Sequence, residues 1–97
     1  MLFEWDEAKA EENYKEHGVL FEVAVKVFDD PFAIEFLDDR QNFTEERFII
    51  FGMVSGGLLY LAYTEREDRI RVISARKATR HEQKEYFEQN GETSTLN

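Results

Sequence analysis

The sequence predicts an α+β domain: two N-terminal helices, an antiparallel sheet of about four strands, and a C-terminal helix. Three observations carry that expectation. Apolar residues first recur at helical spacing, at Phe21, Ala24, Val25 and Phe28. From Phe32 onward the pattern breaks into short runs of Ile, Phe, Leu and Tyr separated by turn residues. Beyond Thr79 a stretch of helix-forming residues returns. Helices, then strands, then a helix, is the order of an α+β fold.

Asp6 is a good N-cap for a helix from Glu7 to His17, and Gly18 is a natural stop because glycine accepts the left-handed conformation. A second helix is expected from Leu20 to Phe28. Asp29-Asp30-Pro31 ends it, since proline disfavours helix in the residue before it. Phe32 to Leu37 reads as a strand, followed by a polar link from Asp38 to Thr44. Arg47 to Met53 and Leu58 to Thr64 are the next strands, joined by the turn Ser55-Gly56-Gly57. Glu65 to Asp68 is a tight charged turn, and Arg69 to Ala75 is a long strand. Simple alternation puts Arg69, Arg71, Ile73 and Ala75 on one face of it, and Ile70, Val72, Ser74 and Arg76 on the other. Thr79 with Glu82 has the spacing of a capping box, opening a helix from Arg80 to Gln89. Residues 1–90 thus form one domain, and residues 91–97 a flexible tail.

The chain has 97 residues, 42% of them hydrophobic, which is enough for one compact core. It contains no cysteine, which excludes disulfides, thiolate zinc sites and a cysteine nucleophile and fits a reducing cytoplasm. The acidic start, Met-Leu-Phe-Glu-Trp-Asp, is unlike a signal peptide. No run approaches the roughly 20 apolar residues that span a membrane. The two histidines, His17 and His81, lie far apart, and no metal-binding spacing surrounds them. Neither metal nor cofactor is expected.

Charge is unevenly distributed. The net charge is −9, yet residues 66–84 hold seven basic and three acidic side chains. The rest of the chain carries five basic and eighteen acidic ones. A local +4 on a body of −13 points to an anion site, with phosphate the leading candidate. Arg66, Arg69, Arg71, Arg76, Lys77 and Arg80 follow one another through a turn, a strand and a helix start, so several guanidiniums could grip a phosphodiester. The same arginines could equally pair with surface carboxylates. On the first helix, Lys9, Asn13 and His17 form a stripe with Trp5 before it: a cation, an amide and an imidazole in line. Dipole and capping roles explain that stripe as well. Tyr86 reads more readily as core than as catalyst.

Several segments together resemble a known family. Phe3-Glu4-Trp5-Asp6, Lys9, Asn13, His17-Gly18-Val19 and Phe21-Glu22 look like the opening of BrnT-type toxins. Phe28-Asp29-Asp30-Pro31, Glu46-Arg47-Phe48-Ile49 and Tyr63-Thr64-Glu65-Arg66 continue the likeness in order. The most specific part is Ile73-Ser74-Ala75-Arg76-Lys77-Ala78-Thr79, followed by Glu82 and Tyr86.

The resemblance implies a ribonuclease toxin of a bacterial type II toxin–antitoxin pair, with a RelE-like fold. It implies a cognate BrnA-like antitoxin with a ribbon-helix-helix part, and DNA contact only through that complex. It also implies RNA cleavage without metal, by attack of the ribose 2′-oxygen on the neighbouring phosphate. By that resemblance Arg66, Arg76 and Lys77 bind phosphate and stabilise transition-state charge, with Arg71, Lys9 and Arg69 as further RNA-phosphate contacts. His17, Glu65 and Tyr86 are the candidates for acid and base. An acidic module that only binds its antitoxin and modulates repression is the alternative that the overall charge suggests.

Overall fold

Asp6 opens the first helix, α1 (Glu7–His17), by accepting the Lys9 N–H on its carboxylate at 3.1 Å. Gly18 closes it at φ 69°, and its N–H donates to the Tyr14 carbonyl at 2.8 Å. A computed structural model describes residues 1–40 and 44–91. The expected flexible tail therefore falls, apart from Gly91, outside the described residues, as do residues 41–43 of the polar link.

The second helix is shorter than expected. An α-helical turn, α2 (Phe21–Ala24), tightens into a 3₁₀ segment over Val25–Asp29. Such tightening is common at helix ends. This segment lies close to Gly52, where a Cβ would meet the Val27 carbonyl and the Asp30 carboxylate at 3.2 Å each.

The sheet has five strands rather than four, and it is mixed rather than antiparallel. They are β1 (Leu2–Glu4), β2 (Ile34–Asp38), β3 (Arg47–Val54), β4 (Gly57–Arg66) and β5 (Arg69–Lys77), in spatial order β1-β5-β4-β3-β2. β2 to β5 form the expected meander. Ser55 and Gly56 turn β3 into β4 with φ of 48° and 83°, the primed turn that matches strand twist. The addition is β1, which pairs parallel to β5 from Leu2↔Arg69 to Glu4↔Arg71. Three residues show no periodicity of their own, so only the completed sheet reveals this strand. The last helix, α3 (Arg80–Gln89), begins at the expected capping box of Thr79 and Glu82.

Two apolar layers flank the sheet. On one face α1, α2 and the 3₁₀ segment cover Leu61, Tyr63, Val72 and Ala75 with Phe21, Ala24 and Val27. On the other, α3 brings Tyr86 against a cluster with Ile49, Phe51, Leu58 and Tyr60. Phe21, Phe51 and Leu61 are 1% exposed or less, each stabilising the fold by about 1.5–3 kcal/mol.

The alternation expected along β5 is broken by a bulge. Tyr63 pairs with Val72 but Ala62 pairs with Ser74, so Ile73 is an extra residue. Val72 and Ala75 consequently both enter the layer beneath α1. Ile73 packs against the opposite layer. Simple alternation grouped Arg71 with Ala75 and Arg76 with Val72; the bulge reverses the second half of that grouping. Arg76 pairs with Tyr60 in register and lies over its ring, so it shares a face with Arg71.

Side chains complete both incomplete edges of the sheet. Beyond Arg71, β1 no longer covers β5, and the buried Asn13 amide pairs with Ala75 there. Its Oδ1 accepts the Ala75 N–H at 3.1 Å, and its Nδ2 donates to the Ala75 carbonyl at 2.8 Å and to the Val19 carbonyl at 3.2 Å. Beyond Phe51, β2 no longer covers β3, and Asp30 accepts the Met53 N–H at 2.7 Å.

Candidate functional site

Strand register and the bulge set the site. Arg47 on β3, Thr64 and Arg66 on β4, and Arg69, Arg71 and Arg76 on β5 project from one face of the sheet. It is the face that α3 covers at one end.

At the end away from α3 lies a cleft of about 140 Å³. Arg47, Arg66 and Arg71 line it, and Lys9 reaches it from the first turn of α1. Asp6 and Glu45 also line it, so four cations face two carboxylates. Thr64 sits among them, 4% exposed, its hydroxyl donating to the Glu46 carbonyl at 2.6 Å. This bond fixes the link before β3 against β4.

Carboxylates hold the arginines in place. Glu45 takes Arg66 side-on, with Nε–Oε2 at 3.2 Å and Nη2–Oε1 at 3.0 Å. The bond to Arg66 holds the Glu45 carboxyl below its usual range. Glu4, delivered by β1, takes Arg71 at 2.8 Å and Arg69 at 3.6 Å. The N-terminal strand thus anchors two of the cationic side chains.

Arg76 belongs to a second group. Its guanidinium carbon is 3.7 Å from the centroid of the Tyr60 ring, and it forms a two-bond pair with Glu82, both at 2.9 Å. Burial pushes the Glu82 carboxyl up, but Arg76 and the Thr79 N–H outweigh it and hold it below its usual range. Arg40 approaches the same tyrosine, donating to its hydroxyl at 3.3 Å while paired with Asp38.

Arg66 and Arg76 therefore share a face but not a cleft. Six residues of β4 separate Arg66 from Tyr60, a distance of about 20 Å along the strand. Lys77 is exposed at the end of β5, lining a shallow hollow with Leu59 and Phe87. Glu65 projects from the opposite face of β4 to Arg66 and lines a neighbouring hollow with Glu46 and Phe48. His17 ends α1, eight residues and about 12 Å along the helix from Lys9, with the Glu16 carboxylate 3.5 Å from its Nε2. Asn13, between them, is a structural residue of the core. Tyr86 is 4% exposed, and its hydroxyl donates to Asp30 at 2.6 Å.

Sequence reasoning passed over Arg47 and Glu45 as site residues. Both lie outside the basic run, and only strand pairing brings them to Arg66 and Arg71. The signal available for Arg47 was its place in the Glu46-Arg47-Phe48-Ile49 match. Among the described residues, no group of three or more His, Cys, Asp or Glu side chains is arranged to hold a metal ion. No helix among them is long and apolar enough to cross a membrane.

A search of curated proteins finds no match. A family model does match: that of BrnT, the ribonuclease toxin of type II toxin–antitoxin systems, over residues 5–82. The matched span runs from Trp5 to Glu82 and contains every cation of the cleft and the Arg76–Glu82 pair. Since it covers most of the chain, the protein belongs to the family of BrnT ribonuclease toxins of type II toxin–antitoxin systems.

Proposed function

We propose that this toxin cleaves RNA on the arginine-bearing face of its sheet, in the cytoplasm and without metal. The observation that carries this reading is the set of cations around the cleft: Lys9, Arg47, Arg66 and Arg71 converge from one helix and three strands. A phosphodiester in that cleft meets guanidinium donors on more than one side. Such donors suit the negative charge that builds on the phosphoryl oxygens as the 2′-oxygen attacks. Each well-placed donor is worth about 2.7–4 kcal/mol of transition-state stabilisation.

The roles follow the placement. Arg66 and Arg71 bind the reacting phosphate, with Lys9 and Arg47 beside them. Arg76 and Lys77, farther along β5, contact phosphates of neighbouring nucleotides, and Arg69 adds charge at the rim. Tyr60 is buried beneath that path, with Arg76 over its ring and Arg40 at its hydroxyl. The antitoxin is a ribbon-helix-helix protein, and DNA is reached only through the complex.

A second reading has its own observation. Glu4, Glu45 and Glu82 each occupy a guanidinium of the proposed site. A protein whose cations are neutralised internally suits a role as an antitoxin-binding module. Induced expression separates the two. Ribonuclease activity predicts growth arrest and RNA degradation with the wild type, both relieved in Arg66→Ala. Intact RNA and normal growth with the wild type would favour the binding module.

A further inference from the structure

We propose that Glu45 is the general base of the cleavage reaction. This rests on the ribonuclease reading of the cleft. His17, Glu65 and Tyr86 are the other candidates for proton transfer, and none lines the cleft. His17 is a helix length away, Glu65 projects from the other face of β4, and the Tyr86 hydroxyl donates to Asp30.

Two carboxylates line the cleft, Asp6 and Glu45. Asp6 accepts the Lys9 N–H that opens α1, so a proton taken up there would weaken the helix cap. Glu45 is gripped by Arg66 through one bond to each oxygen. An ionised carboxylate offers about four acceptor positions, so two remain for a ribose hydroxyl. Its side chain is 47% exposed, which lets it meet a substrate and return a proton to water. Arg66 holds its carboxyl below the usual range, and the same guanidinium offsets the repulsion the carboxylate would exert on an approaching phosphate.

The step balances without a co-reactant. Glu45 takes the proton of the 2′-hydroxyl as the 2′-oxygen bonds to phosphorus. The bond from phosphorus to the 5′-oxygen breaks, and that oxygen takes a proton from water in the open cleft. Glu45 then releases its proton to solvent. The products are a 2′,3′-cyclic phosphate and a free 5′-hydroxyl.

The test uses the purified full chain, a single-stranded RNA oligonucleotide, and the same sequence with 2′-O-methyl groups as a non-cleavable binding probe. Glu45→Gln is expected to lower kcat/KM by about 10²–10⁴-fold, the usual contribution of a general base. It should remove the acidic limb of the pH–rate profile while binding the 2′-O-methyl strand at least as tightly as the wild type. Glu45→Asp should retain part of the rate. Wild-type or faster cleavage by Glu45→Gln would make Glu45 a counter-ion to Arg66 and overturn the proposal, leaving the ribonuclease reading intact. If the wild type itself leaves the RNA whole, the ribonuclease reading fails, and the base assignment with it.

Discussion

The Tyr86 hydroxyl donates to Asp30 at 2.6 Å, joining residues 56 positions apart around the edge of the sheet. Asp30 follows the 3₁₀ segment on one face, and Tyr86 belongs to the helix on the other. The same carboxylate accepts the N–H groups of Met53 and Phe32. One side chain thus ties both helical layers to an uncovered stretch of β3. Tyr86→Phe should lower stability by about 1.5–3 kcal/mol, the range for a hydrogen bond to a charged acceptor. Thermal unfolding would register this as a fall of about 4–8 °C per kcal/mol in a domain of this size. RNA cleavage measured below the transition should be unchanged; a large loss of rate in the folded variant would return Tyr86 to the active site.

Asn13→Ala should be more damaging than its polar identity suggests. The buried amide makes three hydrogen bonds, and its removal leaves the Ala75 N–H and carbonyl without it. A buried polar group left unmet costs about 1–3 kcal/mol. A matching fall in urea-unfolding free energy is expected. Amide exchange at Ala75 should accelerate ahead of exchange at its neighbours in β4.

Acid should destabilise the protein in a defined order. Burial pushes the Asp30 carboxyl up, but bonds from Met53, Tyr86 and Phe32 outweigh it, and the net shift is downward. Glu82 is also shifted down. Both carboxylates bind protons more readily in the unfolded chain, so their contribution is complete above the ordinary range and lost as pH falls through the native values. The decline should begin near 4.5, the ordinary value for glutamate, and steepen below 3.8, that for aspartate. Urea midpoints measured across that interval test it: Asp30→Asn should start less stable and show a shallower decline.

Phosphate contacts should report themselves through salt. For single-stranded RNA, each neutralised phosphate adds about 0.7 to the slope of log affinity against log salt. Arg71→Ala should reduce that slope by about this amount and weaken binding to unrelated sequences alike. Filter binding of the 2′-O-methyl strand across a salt series is the measurement. An unchanged slope would mean that Arg71 serves Glu4 alone.

What could be read from the sequence was what is decided locally. Asp6 and Gly18 bound α1, and Thr79 with Glu82 opens α3, because caps act within one turn. The meander was legible because Ser55-Gly56-Gly57 and the charged turn before Arg69 punctuate apolar runs. β1 escaped because its partner is 67 residues away and parallel; Arg71 meets Glu4 only once the sheet has formed. The bulge escaped because Ile70, Val72 and Ile73 give two apolar phases at once. The cleft was half visible for the same reason: Arg66 and Arg71 stand in the basic run, while Glu45 and Arg47 arrive from another strand and its lead-in.

The extra residue at Ile73 makes β5 behave like a message with a reading frame. Everything after it is read one step out of phase with everything before it. Dropping Ile73 would close the bulge and still leave Ala75 opposite Leu61 and Arg76 opposite Tyr60, whereas closing it with all residues kept would turn a guanidinium toward the α1 layer and a methyl group toward the arginine-bearing face. It is the unpaired position itself, and not the side chain it carries, that sets the phase. The separation of cations from core in this toxin is therefore written in the place of one bulge as much as in the composition of the strand.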